Sequence, residues 1–155
     1  MRLLNRPKDA GPSSVIDGKA VGAGFVTAAV SSLALAGVAY LASQSTNAGP
    51  TAATLREAFL VTMGAGVGLS IGCGVAAGLS RKGRPVLGGL AAGAAAFVCV
   101  LVPALVVTQP SDATADELPS TVVLAAILMS PFILIGTAVG AALRGSPRRR
   151  HEIDG

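Results

Sequence analysis

The residue types that most often carry chemistry are few in this chain and lie far apart. The only histidine, His151, is in the polar C-terminal tail, and the two cysteines, Cys73 and Cys99, fall in separate apolar segments. We expect both cysteines to be small buried side chains, not a disulfide. A hydroxyl or thiol nucleophile needs an activating base within hydrogen-bond reach. No base is close in sequence to the hydroxyl residues of the apolar segments, which are Thr27, Ser31, Ser32, Thr62, Ser70, Ser130 and Thr137. The sequence therefore predicts no catalytic residue, and we expect that the protein is not an enzyme.

Two further patterns could suggest a bound cofactor or metal. The segment 72–78 has the glycine content of a dinucleotide-binding loop, but its glycine spacing is wrong and no strand precedes it. Asp112, Asp116 and Glu117 could hold a divalent cation weakly, yet calcium requires about six to eight oxygen ligands from a defined loop. A solvated acidic loop is the simpler interpretation, so we expect neither a cofactor nor a metal.

The composition indicates that the solvent of this chain is a lipid bilayer. Of its residues, 52% are hydrophobic and 13% are charged, whereas soluble domains contain about 25% charged residues. Four uncharged segments cover residues 20–42, 58–79, 85–107 and 120–143, and about 20 apolar residues suffice for a helix to cross the bilayer. We predict an all-α, polytopic membrane protein. Its domain organisation is an N-terminal segment (1–19), a four-helix transmembrane domain (20–143) and a basic tail (144–155).

The basic residues indicate how such a protein would be oriented. Eleven of the 12 lysines and arginines flank the predicted helices on one side: Arg2, Arg6, Lys8, Lys19, Arg81, Lys82, Arg84, Arg144, Arg148, Arg149 and Arg150. Cytoplasmic flanks carry the excess of lysine and arginine, so we expect both termini in the cytoplasm and the protein in the cell membrane. Basic residues beside a membrane also attract anionic lipid, at about 1 kcal/mol each.

The first apolar segment has a second interpretation, a cleaved signal peptide with Gly37 and Ala39 before the cleavage site. Its apolar run is longer than the roughly 7–15 residues of a signal core. A membrane helix is therefore favoured, and cleavage would leave three helices in the same orientation.

Glycines recur at four-residue spacing inside the predicted helices: Gly64, Gly68, Gly72, Gly74, Gly78, Gly89, Gly93, Gly136 and Gly140. Residues at this spacing share one helix face, and small residues allow helix backbones to approach closely in lipid. These glycines predict helix packing, either within one chain or between copies.

Two prolines, Pro103 and Pro131, fall inside predicted helices. Proline removes a backbone donor and kinks a helix. The kinks would shape the bundle or, less simply, line a path for a substrate.

An internal duplication is one of two interpretations of a similarity between residues 71–79 and 135–143. Five of the nine positions are identical at an offset of 64 residues. A duplication would give two tandem, parallel two-helix hairpins; chance matching of helix ends rich in alanine and glycine is the other explanation.

The predicted spans contain no Asp, Glu, Lys, Arg or His, whereas proton relays and coupled carriers place such residues in the membrane. We therefore predict a non-enzymatic accessory or scaffold subunit of a membrane complex. The alternative is a small self-associating pore or carrier, including a holin-like protein. The expected partners are the lipid bilayer and either further copies of this chain or another membrane protein. Because the chain lacks an aromatic platform and a nucleic-acid-binding motif, we expect no nucleic acid. The composition, rich in alanine, glycine and arginine, suggests a bacterial source.

Overall fold

The computed structural model describes residues 16–44, 50–81, 84–108 and 117–145, and within these ranges the architecture is all-helical. Its elements are α1 (Gly18–Gln44), α2 (Pro50–Leu79), α3 (Pro85–Ala96), a π-helical segment (Phe97–Leu101), α4 (Val102–Thr108) and α5 (Glu117–Gly145). Because α3, the π-helical segment and α4 are contiguous in sequence, they give one membrane-length helix.

Four stretches are long and apolar enough to cross a membrane: Gly18–Gln44, Ala53–Leu79, Pro85–Val107 and Pro119–Arg144. The predicted fold class, all-α with four transmembrane helices, is confirmed. The fold is compatible with a multi-pass integral membrane protein.

Two of the helix starts have local causes in the sequence. Asp17 caps α1, because its Oδ1 accepts a hydrogen bond from the Ala20 backbone N–H at 3.5 Å. Pro85 is the first residue of α3, where its missing N–H costs nothing. The preceding Arg84 is extended, with φ −75° and ψ 117°, as a residue before proline prefers.

The start of α2 differs from the sequence expectation. The helix begins at Pro50, eight residues before the predicted apolar span. Arg56 and Glu57 end the uncharged run but do not end the helix, since both residue types have good helix propensity. The first two turns of α2 therefore extend beyond the apolar span.

The other helices pack around α2, which contacts α1, α3 and α5. Gly24 and Ala28 of α1 lie against Ala76 and Gly72 of α2, and further along Leu35 lies against Gly64. Residue numbers thus rise on α1 as they fall on α2, so these two helices are antiparallel.

On its other side, α2 runs parallel to α5. Gly66 lies against Phe132, and Gly74 lies against Gly136 and Gly140. Where the helices converge, the core consists of Ala28, Leu69, Cys73, Ala96 and Met129.

Charged residues of the described ranges are confined to the helix ends. With the helix directions given above, Asp17, Lys19, Arg81, Arg84 and Arg144 lie at one end of the bundle, and Arg56, Glu57 and Glu117 lie at the other. We call the first the basic end and the second the opposite end. This separation leaves an uncharged middle zone, as a bilayer core requires.

Large aliphatic side chains cover the outside of that zone. Leu41, Val107 and Leu143 are 70%, 82% and 74% exposed, respectively. In water such a surface would associate or aggregate, whereas lipid tails solvate it. Both cysteines are free, and Cys73 is buried as expected. The expectation is wrong for Cys99, which is exposed on the outward side of the π-helical segment.

Candidate functional site

Three glycines of α2 form the contact with α1. A Cβ atom built on Gly64 would lie 2.7 Å from the Leu35 carbonyl oxygen, and one on Gly72 would overlap Ala28. At Gly68 the obstructing atoms are the backbone N and Cα of Ser32. Since these atoms belong mainly to main chain, the two helices touch backbone to backbone along about two turns.

Serine hydroxyls reinforce this interface. Ser31 Oγ shares its hydrogen between the Thr27 carbonyl oxygen of its own helix, at 2.5 Å, and the Gly68 carbonyl oxygen of α2, at 2.8 Å. Ser32 Oγ donates to the Ala65 carbonyl oxygen at 2.9 Å. Because the glycines have no side chain, the two helices lie close enough for a serine on one helix to reach a main-chain carbonyl on the other. In a membrane each such bond contributes about 0.6 kcal/mol.

Glycines of α3 make a second contact, with α2 and α5 together. A Cβ atom on Gly89 would lie 2.7 Å from Thr137 Oγ1, and one on Gly93 would lie 2.6 Å from Cys73 Sγ. Cys73 and Thr137 are 0% and 2% exposed, so the thiol and the hydroxyl occupy the space that the two missing side chains leave. Cys73 is thus inaccessible as a nucleophile.

The contact between α2 and α5 depends on Gly136 and Gly140. A Cβ atom on Gly136 would overlap the Ser70 carbonyl, and one on Gly140 would overlap the Gly74 carbonyl. Gly78 differs, because its Cβ atom would lie 3.8 Å from the Gly140 carbonyl oxygen, an ordinary contact. Gly78 is exposed in a surface groove.

The two prolines have different surroundings. Pro103 lies in the first turn of α4, directly after the π-helical segment, where the Val102 N–H donates to the Phe97 carbonyl oxygen. A π-type adjustment is one way in which a membrane helix satisfies the backbone groups that proline releases. Pro131 lies inside α5, which is α-helical on both sides of it.

At the basic end, Asp17, Arg81 and Arg144 connect three helices. Asp17 Oδ2 accepts a hydrogen bond from the Arg81 backbone N–H at 3.2 Å, and Arg144 Nη2 donates to the Arg81 carbonyl oxygen at 3.1 Å. Arg84, also predicted from sequence, is exposed at the same end. Lys19 lies at this end as well. The other predicted basic residues lie outside the described residues: Arg2, Arg6, Lys8, Lys82, Arg148, Arg149 and Arg150. So do Asp112, Asp116 and His151.

A cavity of about 470 Å³ lies between the helices in the half nearer the opposite end. Its wall is mostly aliphatic and includes Phe97 and Leu101 of the π-helical segment. The hydroxyl residues of its wall are Ser32, Thr62 and Thr121. Ligand pockets typically measure roughly 300–1,000 Å³, so the size suits a small apolar molecule.

None of the sequence patterns described above predicts this cavity. The glycines of α3 and α5 that approach α2 closely all lie in the half nearer the basic end: Gly88, Gly89, Gly93, Gly136 and Gly140. Beyond them, α3, α4 and α5 carry larger residues, and α4 makes few contacts with α5. The sequence feature that could have predicted the cavity is the change from glycine to larger aliphatic residues along α3 and α5.

The described residues contain no group of three or more histidine, cysteine, aspartate or glutamate side chains that could hold a metal ion. No protein-family model matches this chain, and neither a curated protein nor a solved structure shows detectable similarity to it.

Proposed function

We propose that this chain is a non-enzymatic integral membrane protein that acts as an accessory or scaffold subunit of a membrane complex. The observation that carries the proposal is how the buried hydroxyl groups are hydrogen-bonded. Of the four buried polar side chains in the described ranges, Ser32, Ser43 and Ser80 donate to main-chain carbonyls. Hydroxyls bound in this way stabilise helices and are not available as nucleophiles. The fourth, Thr137, has no hydrogen-bond partner among the described residues for its Oγ1, which is enclosed by α3 at Gly89.

The outer surface supports a role in association. Helix association in lipid depends on close packing and not on hydrophobicity. The exposed Gly18 and Gly22 leave recesses in the outer surface of α1. These recesses would admit a helix of another subunit.

We further propose that the basic end faces the cytoplasm and that the host membrane is the cell membrane. In the described ranges the basic end carries four basic residues and one acid, and the opposite end carries one basic residue and two acids. A reporter that is active only in the cytoplasm should work when fused after Gly155. Activity only of a reporter that requires the other compartment would reverse the orientation.

The test of the accessory role is purification of the tagged protein from its own membranes in mild detergent. Light scattering gives the protein mass in each particle, and mass spectrometry identifies what is retained. A defined foreign subunit at constant stoichiometry is the expected result. A lone monomer at every detergent concentration would contradict the proposal.

The cavity favours one second function, a carrier for small apolar molecules. Its wall offers few polar groups, so the interior of one copy does not suit an aqueous pore; the pore alternative would need a channel between copies. A clean homo-oligomer in the purification would give priority to this second function and to flux measurements in reconstituted vesicles.

Ala125→Leu tests whether the cavity binds an apolar molecule, because Ala125 lines its wall. With a diazirine-bearing fatty alcohol as the probe, we expect photolabelling of residues 97–105 and 121–129 in the native protein. Filling the cavity should lower that labelling about tenfold, the equivalent of about 1.4 kcal/mol of binding free energy.

Ala126→Leu is the matched control, since Ala126 is exposed and does not line the cavity. Equal labelling in the native protein and both variants would show that the probe reacts only from the surrounding lipid. That result would remove the carrier function.

A further inference from the structure

A groove of about 520 Å³ runs along the outside of the bundle between α2 and α5. Its floor is formed by glycines, including Gly74, Gly78 and Gly140, and its rims carry Ile71, Leu79 and Leu143. From Ser70 to Leu79 the groove extends about 13 Å along the helix axes. It is open to the side, so a molecule would enter it from the lipid phase.

The groove ends beside two arginines. Leu79 precedes Arg81 by two residues, and Leu143 is directly followed by Arg144. The hydrogen bond from Arg144 Nη2 to the Arg81 carbonyl oxygen, 3.1 Å long, holds one guanidinium over the end of α2. This bond uses one of the five N–H donors of the guanidinium.

We infer that this groove and these arginines form a binding site for one anionic phospholipid. An acyl chain lies in the groove between α2 and α5, and the headgroup phosphate accepts hydrogen bonds from Arg144 and Arg81. The inference rests on membrane insertion and does not depend on the accessory role.

Two independent features point to this occupant. The groove is apolar and parallel to the helices, which is the direction of an acyl chain in a bilayer, and its glycine floor makes it deeper than an ordinary helix surface. At its end, the Arg144 guanidinium is held beside the Arg81 carbonyl, and a guanidinium has the planar set of donors and the charge that suit a phosphate. Asp17 is the only acid in the described part of this end, and it already accepts N–H groups from Ala20 and Arg81.

The experiment measures lipid retention by native mass spectrometry of the full chain in a neutral detergent. The probes are phosphatidylglycerol and phosphatidylcholine with identical acyl chains, and inorganic phosphate. We expect the native protein to prefer phosphatidylglycerol over phosphatidylcholine. Arg144→Gln should lower that preference about fivefold, the effect of one basic residue at an anionic surface. Retention of phosphatidylcholine should fall less, because its choline ammonium already balances the charge of its phosphate.

Gly78→Leu tests the acyl-chain position. Its Cβ atom meets only the Gly140 carbonyl oxygen, at 3.8 Å, so the leucine fills the groove without separating the helices. Retention of both lipids should fall severalfold. The matched controls are Gly37→Leu, where nothing lies within 4 Å of the added Cβ atom, and Arg56→Gln at the opposite end. Neither control should change retention.

Three results would overturn the inference. Unchanged lipid retention in Gly78→Leu would remove the chain from the groove, and unchanged preference in Arg144→Gln would remove the phosphate from the arginines. Full competition by inorganic phosphate would reduce the site to an anion site without a chain. A diazirine-bearing phosphatidylglycerol provides a test on the native protein, since its chain must label residues 70–79 and 136–143.

Discussion

Gly68→Ala is expected to lower the free energy of unfolding by about 2–4 kcal/mol, although it adds a single methyl group. The new Cβ atom would overlap the backbone N and Cα of Ser32 and lie 2.5 Å from the Ser31 carbonyl carbon. Main-chain atoms of a helix cannot rotate aside, so α1 must move away from α2. That movement also lengthens the hydrogen bonds from Ser31 to Gly68 and from Ser32 to Ala65.

Equilibrium unfolding in mixed micelles of dodecyl maltoside and increasing dodecyl sulfate, followed by circular dichroism, measures this change. Gly37→Ala on α1 is the control, because no atom lies within 4 Å of its added Cβ atom. Alanine is the better helix former by about 1 kcal/mol, so the control should be neutral or stabilised. Equal unfolding free energies for the two variants would show that α1 and α2 are not in backbone contact at Gly68.

Gly136→Leu should destabilise the protein and Gly78→Leu should leave its stability unchanged, although both glycines border the same groove. The Cβ atom on Gly136 would overlap the Ser70 carbonyl oxygen and lie 2.7 Å from the Ser70 Cα. Leucine there must displace α5 from α2, and we expect a loss of about 3 kcal/mol or more, the upper range for overpacking. Leucine at Gly78 projects outward, and its gain in helix propensity should offset any cost.

The comparison is made by the fraction of each variant that elutes as a folded species on size exclusion and by the same micelle titration. Gly136→Leu should be recovered poorly, and Gly78→Leu should match the native protein. If the two leucine variants behave alike, the packing of α5 on α2 is wrong in register or in face.

The four helices could be predicted because lipid imposes a simple rule: a segment of about 20 residues without charge must satisfy its own backbone. The same rule placed the start of α2 too late. Arg56 and Glu57 mark the end of the apolar span, but helical hydrogen bonding continues past them to Pro50. The rule also gave no means of telling that Cys73 faces inward and Cys99 outward, because the helices are apolar on nearly all sides.

The glycine spacing identified helix faces but not their partners. Gly64, Gly68 and Gly72 share one face by their spacing, and the structure places α1 against that face. Gly74 and Gly78 have the same spacing, yet α5 covers the first more closely than the second. Which face is covered depends on three-dimensional contacts that are distant in sequence, and the cavity near the opposite end depends on how far the helices diverge.

The duplication stays a prediction. Gly74 of α2 contacts Gly136 and Gly140 of α5, which come 62 and 66 residues later. Residues about 64 positions apart, the offset of the proposed duplication, therefore lie at a similar height in the bundle. However, α1 contacts α2 along several turns, whereas the helix made of α3, the π-helical segment and α4 makes far fewer contacts with α5, so the two hairpins are packed differently. The accessory role, the orientation and the lipid site remain proposals with the tests given above.

The backbone contacts of the glycines also constrain how the sequence can diverge during evolution. Outward positions such as Val30, Val106 and Leu134 are exposed, and in a bilayer, exchange among valine, leucine and isoleucine there would cost little. Gly68, Gly72, Gly136 and Gly140 admit no larger residue without moving a helix. We expect a saturation mutagenesis screen to find these four positions restricted to glycine while most outward positions drift. Descendants of a common ancestor would then share a glycine spacing long after their other residues had ceased to resemble one another.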